Sequence, residues 1–228
     1  VLFYRSLRYR RYLVGYKRGK YNFTDILSLN KMGWMVGLQM GLETALFSIT
    51  GIMIGWLGSI ALAAHQVMVA ISTLGFMIYY GVGAAVSVRV SNYFGRQDLL
   101  HVRRTTMAGF HLILCLAVCA CTVFLFSREL IGYLFTTSEE VIPDVSTLVY
   151  ILLAYQFGDA LQITYANSLR GIGDVISMAV ISFIGYFLIA MPVCYICGFV
   201  LEWGITGIWI GYPIGLTLTG VMLCGRYY

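Results

Sequence analysis

The chain has 228 residues, of which 60% are hydrophobic and only 11% charged, with a formal net charge of +5 and a mean hydropathy of +0.82. These proportions exclude an ordinary water-soluble domain. A bilayer core takes about 20 mostly apolar residues per helical span, so the chain has room for roughly six spans with short connections.

Residues 1–31 form a basic segment carrying Arg5, Arg8, Arg10, Arg11, Lys17, Arg18, Lys20 and Lys31. Its opening, VLFYRSLRYRRY, passes from apolar to strongly basic without a small-residue cleavage site, unlike a signal peptide. A chain that begins with Val in the tail of an apolar stretch is expected to be cut from a longer protein. Tyr4, Tyr9, Tyr12, Tyr16 and Tyr21 interleave with the arginines as in a nucleic-acid patch. Beside membrane spans, the segment instead reads as a juxtamembrane cytoplasmic loop drawn to anionic lipid. The sequon Asn22-Phe23-Thr24 is discounted because this segment faces the cytoplasm in that reading.

Residues 32–228 read as an all-α membrane domain. Six helical spans follow at roughly Met35 to Leu57, Gln66 to Val88, Thr106 to Phe126, Ser146 to Ser168, Val175 to Gly198 and Gly204 to Cys224. Helices are required because the bilayer leaves no water to satisfy backbone N–H and C=O groups, and continuously apolar runs lack the alternation of a barrel strand. Of the 15 Lys and Arg residues, all but Arg128 fall in the leading segment or after the second, fourth and sixth spans. Basic residues are retained on the cytoplasmic side, so both ends of the chain are expected there.

Cys115, Cys119, Cys121, Cys194, Cys197 and Cys224 lie inside apolar runs and read as small reduced hydrophobes, not as a disulfide framework or metal site. GVGAAV at Gly81 to Val86 reads as a helix-packing segment, since no strand precedes it. Gly33, Gly37 and Gly41 repeat every four residues and are expected to let another helix approach. Pro192 and Pro213 each remove a backbone hydrogen bond within a span and invite a kink. His65 and His111 read as packing residues. No nucleophile–base pair, phosphate loop or metal motif supports an enzyme, and no cofactor beyond an exchangeable ion is implied.

Within the six spans only two residues carry a formal charge, Glu43 and Asp159. An ionised carboxylate near the middle of a span costs at least about 2.5 kcal/mol, so each needs water, a cation, a proton or a partner. Gln39 and Glu43 are four apart and share a helix face; Tyr155, Asp159 and Gln162 share one at i, i+4 and i+7. If the two polar stripes face each other, they offer carboxylate, phenol and amide oxygens suited to a hard cation or a protonatable relay. Two readings stay open on these residues alone: an exchange site for Na+ or H+, or protonated carboxyls that bond neighbouring helices in a non-transporting scaffold.

Three segments carry a family resemblance. GLETALFSITGIMIGWLGSIALAAHQVMVAIS, GVGAAVSVRVSNYFGRQD and YQFGDALQITYANSLRGIGD resemble the seventh, eighth and tenth helices of NorM-like exporters of the MATE (multidrug and toxic compound extrusion) family. The resemblance runs from about Lys31 to the end and implies that the chain is the C-terminal six-helix lobe of a twelve-helix fold. It implies an antiporter, in bacteria an inner-membrane one, that exports cationic or aromatic drugs in exchange for Na+ or H+. Glu43, Asp159 and Tyr155 match the family's cation- or proton-site positions; Gln39, Gln66 and Gln162 are expected to line the drug cavity, and any bound metal ion is Na+ at Glu43 and Asp159. The N-terminal lobe is the implied partner, and without it these 228 residues are not expected to transport. A lipid-linked saccharide flippase of the wider superfamily would be expected to bury more basic charge.

Overall fold

The computed structural model describes residues 22–135 and 138–228, so the basic run from Arg5 to Lys20 and its tyrosines lie outside the described residues. The chain divides into two compact units, Val1–Trp34 and Met35–Tyr228. In the first unit, helix α1 (Phe23–Gly55) begins. The side-chain oxygen of Asn22 accepts a hydrogen bond from the backbone N–H of Thr24 at 3.2 Å, and Asp25 sits in the first turn, where a carboxylate suits the helix dipole. The asparagine of the sequon is thus used in starting a helix.

In the second unit α1 continues and is followed by α2 (Ser59–Gly95), α3 (Leu99–Phe126), a short α4 (Arg128–Phe135), α5 (Ile142–Ile172), α6 (Val175–Val200) and α7 (Gly204–Tyr227). Most of these helices overrun the predicted spans: α1 starts at Phe23, and α2 continues past Val88 through Arg89, Ser91 and Asn92. Hydropathy marks the part of a helix at bilayer depth, whereas the backbone ladder continues until a capping residue stops it. The eight-residue α4 is too short to span and was not expected.

Helices α1, α2, α3, α6 and α7 are long and apolar enough to cross a membrane. With 31 residues α5 is long enough, but its composition is more polar because it buries Gln156, Asp159, Gln162, Thr164, Asn167 and Ser168. It packs on α2, α3 and α7, so its polar face is enclosed by other helices, while Tyr150, Ala154 and Phe157 remain exposed. The main core gathers Leu46 and Ile54 of α1, Met68 of α2, Leu148 and Leu152 of α5, Tyr186 of α6, and Trp209 and Tyr212 of α7. All six cysteines are free.

Close helix contact occurs on a different glycine repeat from the one the sequence singled out. Gly207, Gly211 and Gly215 of α7 press on α6, where an added Cβ would lie 2.3 Å from the carbonyl oxygen of Cys197, 2.2 Å from the Cys194 sulfur and 2.4 Å from the Ala190 Cβ. By contrast, nothing described comes within 4 Å of a Cβ built on Gly37 or Gly41. Four-residue glycine spacing permits close approach; among the described residues the α7 repeat meets an approaching helix and the α1 repeat does not. Gly41→Ala is therefore expected to leave the melting temperature of the purified protein unchanged or to raise it slightly, since Ala favours helix by roughly 1 kcal/mol over Gly. Gly83, within GVGAAV, does pack closely, against the side chains of Asn167 and Ile163.

Pro192 lies in a short α segment of α6, Met191–Tyr195, between π-helical turns at Ile184–Ala190 and Ile196–Val200. Its missing N–H thus falls where the regular ladder is already interrupted. Gly173 closes α5 in the left-handed region at φ 85°, with N–H bonds from Gly173 to Arg170 and from Asp174 to Leu169. Asp174 then pairs with Arg226 at 2.7 Å, tying the start of α6 to the end of α7. Asp98 caps α3 through the His101 N–H, and the His101 ring beside it holds its carboxyl below the usual carboxylate range.

Candidate functional site

The buried face of α1 follows helical spacing through Gln39, Leu46, Thr50 and Met53, and half-buried Glu43 lies along it. That face meets α5 and α6. Gln39 donates to the Glu43 carboxylate at 3.3 Å; Tyr186 of α6 donates to the same oxygen at 3.5 Å, and the Gln162 amide of α5 donates to the Tyr186 hydroxyl. At the far end of this chain of bonds, Arg170 donates to the Gln39 side-chain oxygen and to Asn167, each at 3.3 Å. Three helices are thus linked, α1 to α6 through the Glu43 carboxylate and α6 to α5 through the Tyr186 hydroxyl.

Asp159 is fully buried on α5, and neither of its oxygens has a hydrogen-bond partner among the described residues. It lies within electrostatic reach of Glu43 and of the Tyr155, Tyr186 and Tyr79 rings. Two acidic groups are therefore brought together in the protein interior, a costly arrangement unless a cation or proton offsets their charge.

A cavity of about 220 Å³ opens between α1 and α2, lined by Glu43, Phe47, Ser72, Thr73, Phe76 and Tyr155 among others. A groove of about 470 Å³ adjoins it along α1 and shares Thr44, Phe47 and Val69 with it; His65 and Gln66 lie there. A small polar recess of about 20 Å³ holds Gln39, Glu43, Gln162 and Arg170. Phe47 stacks on Tyr212 at 4.7 Å, and Tyr212 shares a hydrogen bond with Thr50, which fixes the aromatic wall.

Of the residues singled out from sequence, Glu43, Gln39, Gln162, Tyr155 and Asp159 converge around the junction of α1 and α5, with Tyr155 on the cavity wall. Gln66 is apart from them, exposed on α2 in the adjoining groove. Gln39 and Gln162 are buried and bonded into the polar chain instead of facing the larger cavity. His65 is buried edge-on to Trp209 at 5.7 Å, and His111 is exposed with its ring bonded to the Met107 carbonyl. Among the described residues no group of three or more His, Cys, Asp or Glu side chains forms a metal cluster.

Tyr186 and Arg170 were not anticipated. Tyr186 is one aromatic in an apolar run, FIGYFLIA, and nothing in its neighbours marks the hydroxyl as polar at depth. Arg170 falls by sequence in the connection after the fourth predicted span, outside the apolar run that holds Asp159. Its long stem carries the guanidinium back to Gln39, one turn from Glu43.

Comparisons with known proteins agree with this architecture. Multidrug resistance protein NorM of Photobacterium profundum is 34% identical over 206 residues, covering 88% of this chain and 45% of that protein. NorM of Vibrio cholerae is 32% identical over 210 residues, covering 90% and 46%. The chain spans about half the length of the curated relatives it matches. The crystal structure of a eukaryotic MATE transporter superposes with a TM-score of 0.85 at 21% identity, covering 92% of this chain and 48% of that one. An outward-facing multidrug resistance MATE family transporter superposes at 0.79 with 18% identity, covering 88% and 44%. At such identities the likeness shows the fold: an all-α membrane bundle equivalent to half of a transporter. The family model MatE matches residues 36–196, more than half of the chain, and the chain therefore belongs to the MatE family of membrane transporters.

Proposed function

We propose that the chain is the C-terminal lobe of a secondary active multidrug antiporter, exporting cationic or aromatic compounds in exchange for Na+ or H+. The observation that carries this reading is Asp159, fully buried, with both oxygens lacking hydrogen-bond partners among the described residues and with Glu43 within electrostatic reach. Na+ is a hard cation that takes oxygen ligands, and Asp159, Glu43 and the Tyr155 hydroxyl supply them; a proton needs only the carboxylates. Glu43 borders both the polar recess and the larger cavity, so cation and drug compete through one side chain. Such a site drives export only when the two access states differ in cation affinity. Gln66 and Phe47 line the groove in which a flat aromatic cation has both a stacking face and an amide.

The lobe works with an N-terminal six-helix partner, in a bacterial inner membrane, with both ends of this chain cytoplasmic. Support comes from the half-length coverage of the NorM relatives and from the partition of Lys and Arg between connections.

Dye efflux from cells expressing the complete transporter tests the proposal. Glu43→Gln is expected to reduce efflux at least tenfold at equal membrane abundance, whereas a scaffold with structural carboxyls tolerates the change. Tyr186→Phe removes the hydroxyl between Gln162 and Glu43 without altering the cavity. It is expected to lower efflux a few-fold while costing about 1 kcal/mol of stability, read from dose–response curves and thermal melts.

A further inference from the structure

We propose that the α5–α7 surface, together with the start of α4, binds a zwitterionic phospholipid of the phosphatidylethanolamine type. Its acyl chain lies in the groove between α5 and α7, its phosphate on Arg128 and its ammonium on Glu129. This site is separate from the carboxylate cluster and its cavities.

The apolar part is a groove of about 670 Å³ lined by Tyr150, Ile151 and Ala154 of α5 and by Ile210, Pro213 and Leu218 of α7, among others. It lies beside the close contact of α5 and α7 at Gly158, where an added Cβ would lie 2.7 Å from the Thr217 hydroxyl, and Thr217 is part of its lining. Tyr150 and Ala154 are exposed at its rim. In a protein embedded in a bilayer, an apolar groove open on this scale is filled by hydrocarbon, and an acyl chain is the hydrocarbon present.

The polar part lies at the Tyr150 end. Arg128 donates a hydrogen bond to the Tyr150 hydroxyl and places its guanidinium 5.6 Å from that ring centroid, which positions the cation at the mouth of the groove. Its other terminal nitrogen lies 3.6 Å from the Glu129 carboxylate. A guanidinium has five N–H donors, so this arrangement leaves donors for a phosphate oxygen. Glu129 is strongly exposed and presents the opposite charge within reach of the same headgroup. A guanidinium and a carboxylate side by side complement a phosphate and a primary ammonium side by side: the ammonium N–H groups donate to the Glu129 carboxylate, which a trimethylated choline cannot do, and a purely anionic headgroup would meet Glu129 unfavourably.

Helix α4 supplies a third feature. Ile131 and Gly132 are buried, with Gly132 packed against Ile142, while Leu130, Tyr133, Leu134 and Phe135 are exposed. An apolar surface that begins at an Arg–Glu pair and includes an exposed tyrosine suits the boundary between headgroups and acyl chains.

Native mass spectrometry of the protein purified in detergent, with phosphatidylethanolamine, phosphatidylcholine and phosphatidylglycerol added separately, tests the assignment. Phosphatidylethanolamine is expected to be retained at least about five-fold more than either other lipid. Arg128→Ala is expected to lower its retention to their level, and Glu129→Gln to abolish its preference over phosphatidylglycerol. Equal retention of the three lipids, or indifference to Arg128→Ala, overturns the headgroup assignment. Ala154→Trp should fill the groove and reduce retention of all three. A phosphatidylethanolamine with a photoreactive acyl chain, added to the wild-type protein, is expected to crosslink within residues 210–218; crosslinks confined to other helices overturn the site even if the tryptophan variant does not fold. Each of these readouts is independent of drug efflux.

Discussion

Asp159→Asn is expected to leave the bundle folded, with a melting temperature equal to or a few degrees above wild type, while reducing drug efflux by the complete transporter at least tenfold. The side chain is fully buried and no described group hydrogen-bonds its oxygens, so an amide of nearly the same shape disrupts no existing contact. A charge held at bilayer depth costs at least about 2.5 kcal/mol, and the neutral amide avoids that cost whenever the wild-type residue is ionised. Stability gained where activity is lost is the pattern of a group kept for function. Thermal melts in detergent and dye efflux at matched expression read the two effects separately. A variant that melts far below wild type would show instead that the carboxyl holds the helices together.

The second large effect concerns packing. Gly207→Ala is expected to lower the melting temperature by roughly 10 °C, on the scale of 2–4 °C per kcal/mol for a chain of this size. The new methyl carbon would lie 2.3 Å from the Cys197 carbonyl oxygen, 2.5 Å from its carbon and 2.9 Å from the Gly198 nitrogen. All three are backbone atoms, so no rotamer change relieves the overlap and α6 and α7 must separate. Overpacking of this kind costs about 1–3 kcal/mol, occasionally more. Set beside Gly41→Ala, which meets open space, the pair tests whether the bundle depends on the α6–α7 contact specifically. Equal melting temperatures for the two variants would contradict that packing.

Much of the architecture was legible because membrane physics leaves few alternatives. Continuous apolar runs must be helices at bilayer depth, and the two carboxyls stood out because a charge there is costly without compensation. Helix ends were less legible: α1 starts well before Met35, where Asn22 accepts from the Thr24 N–H, while Asp25, Asn30 and Lys31 lower the hydropathy of its first turns. Of the candidate site, the i, i+4 pairing of Gln39 with Glu43 was readable within one helix. The Tyr186 bridge and the return of Arg170 to Gln39 were not, since each depends on which faces of separate helices meet. The glycine repeats make the same point, with equal spacing on α1 and α7 and close packing only on α7.

The most direct test of the account is drug transport by the complete protein in proteoliposomes under an imposed Na+ gradient and then an imposed pH gradient, comparing wild type with Asp159→Asn. Transport that follows one of the gradients in wild type and disappears in the variant is the predicted result, and it names the coupling ion. Transport indifferent to both gradients and to the substitution would contradict the antiporter reading and leave the buried carboxyls with a structural role.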